Sequence, residues 1–153
     1  MTSITITLFI GIVLALVCGW HRRAPDFIIG DSYLLRWWVI PRNPFFNIYL
    51  HRIGRNDDDR ALHDHPWWNI SIVLKGAYRE HMPDGTRVLK RGAWALRGAT
   101  ALHRLEVVKG PVWTLFITGR RVREWGFQCT KGWVHWKDFT TVDGRNVGKG
   151  CGE

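Results

Sequence analysis

Three histidines carry the most definite chemistry in this chain. His63 and His65 flank Asp64, and His103 follows on a separate predicted strand after Gly92 and Gly98. In an extended segment alternate side chains share a face, so the His63 and His65 imidazoles can converge on one point. Neutral imidazole binds first-row divalent metals, and three such ligands leave coordination positions open, as a catalytic centre requires. His63, His65 and His103 are therefore the predicted metal ligands. Asp64 faces away from them in a regular strand and reads as a group that orients them rather than a ligand. His81, next to Glu80, is a candidate either to support the site or to end an exposed strand. His51 alternates with Tyr49 and faces the interior, as a ligand-contacting or a satisfied core histidine. His135, between Trp133 and Trp136, packs in a C-terminal strand. Asp57, Asp58 and Asp59 form a solvated turn, while Trp67 and Trp68 flank the site and could wall a pocket.

The elements that must position these residues read as short strands. The expected set is 27–29, 33–40, 45–53, 68–75, 77–82, 86–90, 93–97, 102–108, 112–118 and 122–128. Pro83-Asp84-Gly85 reads as a hairpin turn, and Lys109-Gly110-Pro111 as another. In 68–75, Ile70, Ile72 and Leu74 alternate with Asn69, Ser71 and Val73, the period of a half-buried strand. Ten Trp, seven Phe and three Tyr suit strands, and sixteen Gly with six Pro supply the turns between them. The 153 residues suffice for one domain with a core and not for two. The expected organisation is an apolar segment over 1–23, an all-β barrel over 24–140 and a Gly-rich flexible tail over 141–153.

Lys and Arg number 22 against 13 Asp and Glu, a formal charge of +9. The arginines are scattered and form no nucleic-acid module, so a solvated basic surface is expected and no specific nucleic-acid partner. Three cysteines without CxxC spacing fit a reducing compartment, with Cys129 and Cys151 expected as free thiols and a pairing or a shared metal as the alternatives. Residues 4–20 carry no charge and meet His21, Arg22 and Arg23. As a helix at ~1.5 Å per residue they reach roughly 25 Å, enough to anchor in a thin bilayer. The arginines then place the domain on the cytoplasmic side. A buried terminal strand beginning at Ile4 to Thr7, or an upstream extension of the gene, is the alternative. No positive leader region or small-residue cleavage site marks a signal peptide.

The spacing His63-x-His65-x3-Asn69-x6-Gly76 resembles the first cupin motif, with Asn69 where many cupins supply a carboxylate. Gly92, Gly98 and His103 resemble the second motif. The likeness is sharpest to the cysteine dioxygenase-like (thiol dioxygenase) branch, which holds iron(II) with three histidines and no carboxylate. It runs over residues 33–127 through Phe46-Asn47-Ile48, Leu62-His63-Asp64-His65, Leu74-Lys75-Gly76-Ala77-Tyr78-Arg79-Glu80, Leu102-His103-Arg104-Leu105-Glu106 and Thr114-Leu115. The resemblance implies a double-stranded β-helix, or jelly-roll, barrel in which iron activates dioxygen and a bound thiolate becomes a sulfinate. Arg36, near Tyr33, is the position most like the arginine that pairs with the substrate carboxylate, with Arg52 and Arg60 as alternatives. The implied catalytic residues are thus Arg36, Tyr33 and Asn69. The family's Cys–Tyr cross-link cannot form here, because Asn69 or Ile70 and Thr118 stand in its place. Phe116 replaces its accessory histidine.

The leading functional expectation is an iron(II)-dependent dioxygenase-like enzyme acting on a small substrate, thiol-bearing if the resemblance holds. Zinc, manganese or nickel would instead suit a cupin isomerase or hydrolase. The third reading is a non-catalytic, membrane-attached cupin that binds metal or ligand. A symmetric homodimer is compatible with a small barrel, although no residue marks an interface.

Overall fold

The computed structural model describes residues 23–57 and 61–152. It forms ten strands: β1 (Phe27–Ile29), β2 (Leu34–Trp38), β3 (Asn47–Ile53), β4 (Leu62–His63), β5 (Asn69–Met82), β6 (Gly85–Lys90), β7 (Trp94–Arg97), β8 (Arg104–Thr118), β9 (Gly126–Cys129) and β10 (Gly132–His135). A single helical turn, α1 (Trp136–Phe139), follows. Seven strands make one antiparallel sheet in the order β1-β2-β3-β8-β5-β6, with β7 also paired to β5; β10-β9-β4 make a second. The expected all-β barrel is what forms.

Two long strands, β5 and β8, organise the barrel. They run antiparallel over nearly their whole lengths, while the other edge of β5 takes β7 over Asn69–Ile72 and β6 over Ala77–Met82. The sequence suggests breaks at Gly76 and at Lys109-Gly110-Pro111, but both strands continue through them. Register shifts lie between Val73 and Tyr78, and the chain bends there without turning back. Gly76 makes this bend possible. It has φ of +82°, and a Cβ there would lie 2.5 Å from the Lys109 carbonyl oxygen. Only glycine allows the two backbones to approach so closely.

The shift also exchanges which residues face inward. Before it, Asn69, Ser71 and Val73 are buried; after it, Tyr78 and Glu80 are. The buried face of the first half of β5 is therefore the polar one, and Ile70, Ile72 and Leu74 are only half-buried. The apolar core is built from Tyr33, Leu34, Ile53, Val73, Tyr78, Leu89, Ala95 and Val112.

The C-terminal segment differs from the expected loose tail. Cys129 and Cys151 are joined by a disulfide rather than free, because the chain returns to bring their Cα atoms to 5.5 Å. Phe139 O accepts from Gly148 N and Gly150 N, and Arg145 O accepts from Gly30 N at 2.6 Å. Thr140 bridges Val147. These bonds hold the segment against β1. The expected strand over 122–128 is confined to Gly126–Cys129. The expected anchor over residues 4–20 lies outside the described residues, and among those described no helix is long and apolar enough to cross a membrane.

Candidate metal centre

The histidines are brought together by a bridge between the two sheets. His63 ends β4, which pairs with β9, and its backbone exchanges two 2.9 Å hydrogen bonds with His103, just before β8. His65, two residues on, returns to the same side. The ligand nitrogens of His63, His65 and His103 all lie within 4.8 Å of one another. His65 Nε2 and His103 Nε2 are 2.9 Å apart. Two imidazoles each ~2.1 Å from one ion at a right angle would have their nitrogens roughly 3 Å apart, so the donor set fits a single divalent metal.

Protonation favours the same use. His103 is buried, which holds its pKa at about 4 against the raising effect of Glu80. Burial, with the neighbouring His103 and His63, likewise keeps the His65 pKa well below the ordinary value. Neutral imidazoles are the ligating form. His103 Nδ1 lies 2.8 Å from Glu80 Oε1. With Glu80 ionised, the proton must sit on Nδ1, which leaves Nε2 as a lone-pair donor facing His65.

Glu80 is a residue of this site to which the sequence reading assigns no role. It is fully buried, and Oε1 also accepts from Arg97 Nε while Oε2 accepts from Arg87 Nε at 2.7 Å. Burial alone would raise its pKa, but the His103 and Arg97 hydrogen bonds outweigh that and hold it well below the carboxylate range. Arg97 extends the network to Asn69 Oδ1 and to the Tyr78 hydroxyl, both at 3.2 Å. Asn69 thus faces Arg97 and does not line the cavity, and its buried Nδ2 has no partner among the described residues. His81 points to the other side of β5, where Nε2 meets Glu106 at 2.7 Å, so it does not support the site. Asp64 is buried and bonds no histidine. It accepts from Gly126 N at 2.8 Å, Trp133 Nε1 at 3.1 Å and Arg123, fastening the His63–His65 segment to β9 and β10.

The three histidines face a cavity of about 460 Å³. Its walls are largely aromatic, among them Tyr33, Tyr49, Trp67, Phe116, Trp125 and Phe127. Trp67 stacks along His65, and Phe116 lies against both His51 and His65. Trp68 is outside, 43% exposed. Arg36 enters the cavity from β2, over the Tyr49 ring, and its Nε donates to His51 Nε2 at 2.9 Å. No carboxylate partners it among the described residues, and burial lowers its pKa to about 10. Tyr33 also lines the cavity, with its hydroxyl beside Asp57. Arg52, next to His51 in β3, does not line the cavity, and Arg60 lies outside the described residues. His135 caps α1 and meets Glu124 at 3.0 Å, apart from the site.

His51 makes a testable contribution of its own. Burial, then the Arg36 charge, holds its pKa well below 6.5. The unfolded chain therefore takes up this proton first, and the stability His51 contributes is present above about pH 6.5 and lost as pH falls. His51→Gln keeps an acceptor for Arg36 and removes the titration. Its melting temperature is expected to fall less steeply than the wild type's below pH 6.5, and parallel curves would refute this role.

No family model matches the sequence, and no curated protein matches it. Solved structures do resemble the fold. KdgF from Halomonas sp. is 16% identical, with 63% of this chain covering 89% of that one at a TM-score of 0.53. A cupin superfamily protein from Desulfitobacterium hafniense is 15% identical, with 61% covering 84% at 0.50. The fold is that of a cupin. A double-stranded β-helix protein from Klebsiella pneumoniae agrees, at 17% identity, 64% covering 86%, and a TM-score of 0.52. At these identities the likeness establishes the cupin barrel and not a chemistry. Within this cupin-like barrel the metal-ligand candidates, the Glu80 network and Arg36 are assigned from their own geometry.

Proposed function

We propose that this cupin is an iron(II)-dependent, dioxygenase-like enzyme acting on a small substrate that carries a carboxylate and, if the resemblance to thiol dioxygenases extends to chemistry, a thiol. The observation that carries the reading is the placement of Arg36. It brings a half-buried guanidinium, with no carboxylate partner among the described residues, into the same cavity as three converging histidines. Its Nε is held by His51, which leaves the two terminal nitrogens for a bidentate grip on a carboxylate. Tyr33 stands in the same wall and would position the substrate beside that grip. Asn69, as the partner of Arg97, would act through the Glu80 network and not by contact with substrate. Iron held by His63, His65 and His103 would supply the redox chemistry. The aromatic walls would exclude water from the reacting centre.

The donor set also suits a non-redox reading, because three neutral imidazoles bind zinc, manganese or nickel equally well in kind. Oxygen uptake separates the two. Protein purified anaerobically should take up near-stoichiometric iron(II) and consume oxygen on addition of small mercapto-carboxylates, and Arg36→Gln should raise KM more than it lowers kcat. Bound metal without oxygen uptake across a thiol panel would reject the dioxygenase reading and leave the Lewis-acid or non-catalytic one. We further propose that residues 4–20 attach the cupin to a membrane, on their uncharged run and the arginines that follow.

A further inference from the structure

We infer that one end of the barrel is a docking surface for an anionic lipid bilayer, independent of any insertion by residues 4–20. The register places the start of β3, the start of β5 and the end of β8 at one level, since Thr118 pairs with both Asn47 and Asn69. The segments leaving these strand ends therefore share one rim. They expose a cluster of large apolar side chains: Phe45 is 72% exposed, Phe46 47%, Trp68 43% and Val122 68%.

The rim is built to present them. Asn43 Oδ1 accepts from both Phe45 N and Phe46 N, and Asn43 O accepts from Asn47 Nδ2, which closes the loop into a fixed tip. Val122 N donates to Pro66 O and Gly119 N to Trp68 O, so the second loop is tied beside the first residues of β5. Ordering these side chains for contact thus has little entropy left to lose.

Charge selects the partner. Arg42 and Arg120 are exposed on the same rim, and neither meets a carboxylate among the described residues; Arg42 lies over the Trp38 ring instead. The acidic groups nearby are engaged, Glu124 by Arg121 and Asp26 by Arg23. A second copy joined symmetrically through this rim would set arginine against arginine, which disfavours self-association. Aromatic side chains flanked by arginines match the headgroup boundary of an anionic membrane, where each arginine strengthens binding about fivefold. The chain itself leads there. The Arg23 carbonyl accepts from Trp37 Nε1, and Trp38 N donates to Asp26, so the described chain begins at the end of β2 from which the Phe45–Phe46 loop leaves.

The test is amide hydrogen exchange on the full chain, with phosphatidylcholine vesicles containing or lacking phosphatidylserine. Exchange at Phe45, Phe46 and Val122 should slow several-fold on the anionic vesicles alone. R42Q/R120Q and F45S/F46S should abolish the slowing, and these exposed positions can change without disturbing the core. The β6 hairpin, with its exposed Val88, should not respond. If the protein sediments with vesicles and the rim exchanges as in buffer, residues 4–20 act alone and the inference is wrong. Slowing produced by an oligonucleotide or by raised protein concentration, and not by vesicles, would overturn it equally.

Discussion

His103→Ala is expected to leave a folded protein that has lost its metal. The substitution removes one of three converging imidazoles, while the backbone bridge between His63 and His103 that joins the sheets does not depend on the side chain. Glu80 keeps Arg97 and Arg87 as partners, so no buried charge is stranded. Loss of a partner that merely orients a ligand costs roughly 10–100-fold in metal affinity, and loss of a ligand should exceed about 100-fold. Iron(II) or zinc titration with metal analysis after gel filtration measures this directly, with thermal melting of the apo forms to confirm the fold. His81→Ala is the matched control, because His81 turns to Glu106 on the far side of β5. If His103→Ala and His81→Ala retain metal equally, the three-histidine centre is not where this protein binds it.

The pairing of His63 with His65 was legible in the sequence because strand geometry does not depend on the rest of the fold. Residues two apart share a face, so His63 and His65 could be paired before any topology was known. Legibility ended where a glycine changed the count. His81 is a candidate in the sequence for its place beside Glu80, on a strand read as separate from 68–75, so the sequence sets no parity between the two halves. The register shift around Gly76 sets it, and buries Tyr78 and Glu80. The His63–His65–Asn69–Gly76 spacing marked the place of that glycine but not its consequence. The tail failed for a different reason. Its glycines and polar residues give no periodic signal, yet Cys151 and the carbonyl of Arg145 fasten it to β9 and to Gly30. A pairing across 22 residues cannot be inferred from composition. The Arg36–His51 contact was half legible: the resemblance pointed to Arg36, and alternation turned His51 inward. Only the register of β2 on β3, which sets Arg36 directly opposite His51, shows that the two form one unit.

Glu80→Ala should be the most damaging single change among the residues around the centre, and its effect should divide into two parts. The carboxylate is the partner of Arg97, whose side chain is 4% exposed and otherwise bonds only neutral groups, Asn69 and Tyr78. Removing one member of such a pair leaves an uncompensated buried charge, at a cost of about 3–5 kcal/mol. Chemical denaturation of the apo protein reads this part. Metal affinity reads the second, since without Glu80 nothing holds the His103 proton on Nδ1, and affinity should fall about 10–100-fold. Glu80→Gln separates the two. Its carbonyl oxygen can still accept from His103 Nδ1, but the amide carries no charge to offset Arg97. Gln should therefore recover most of the metal affinity and little of the stability. The sign of the pH response follows from the same residue. A carboxylate held below its ordinary range contributes stability that is present above about pH 4.5 and lost as pH falls through its folded pKa. Glu80→Gln should lose that part of the acid limb. If Gln restored stability and metal affinity together, the charge on Glu80 would not matter, and the pairing with Arg97 would be incidental to how His103 is held.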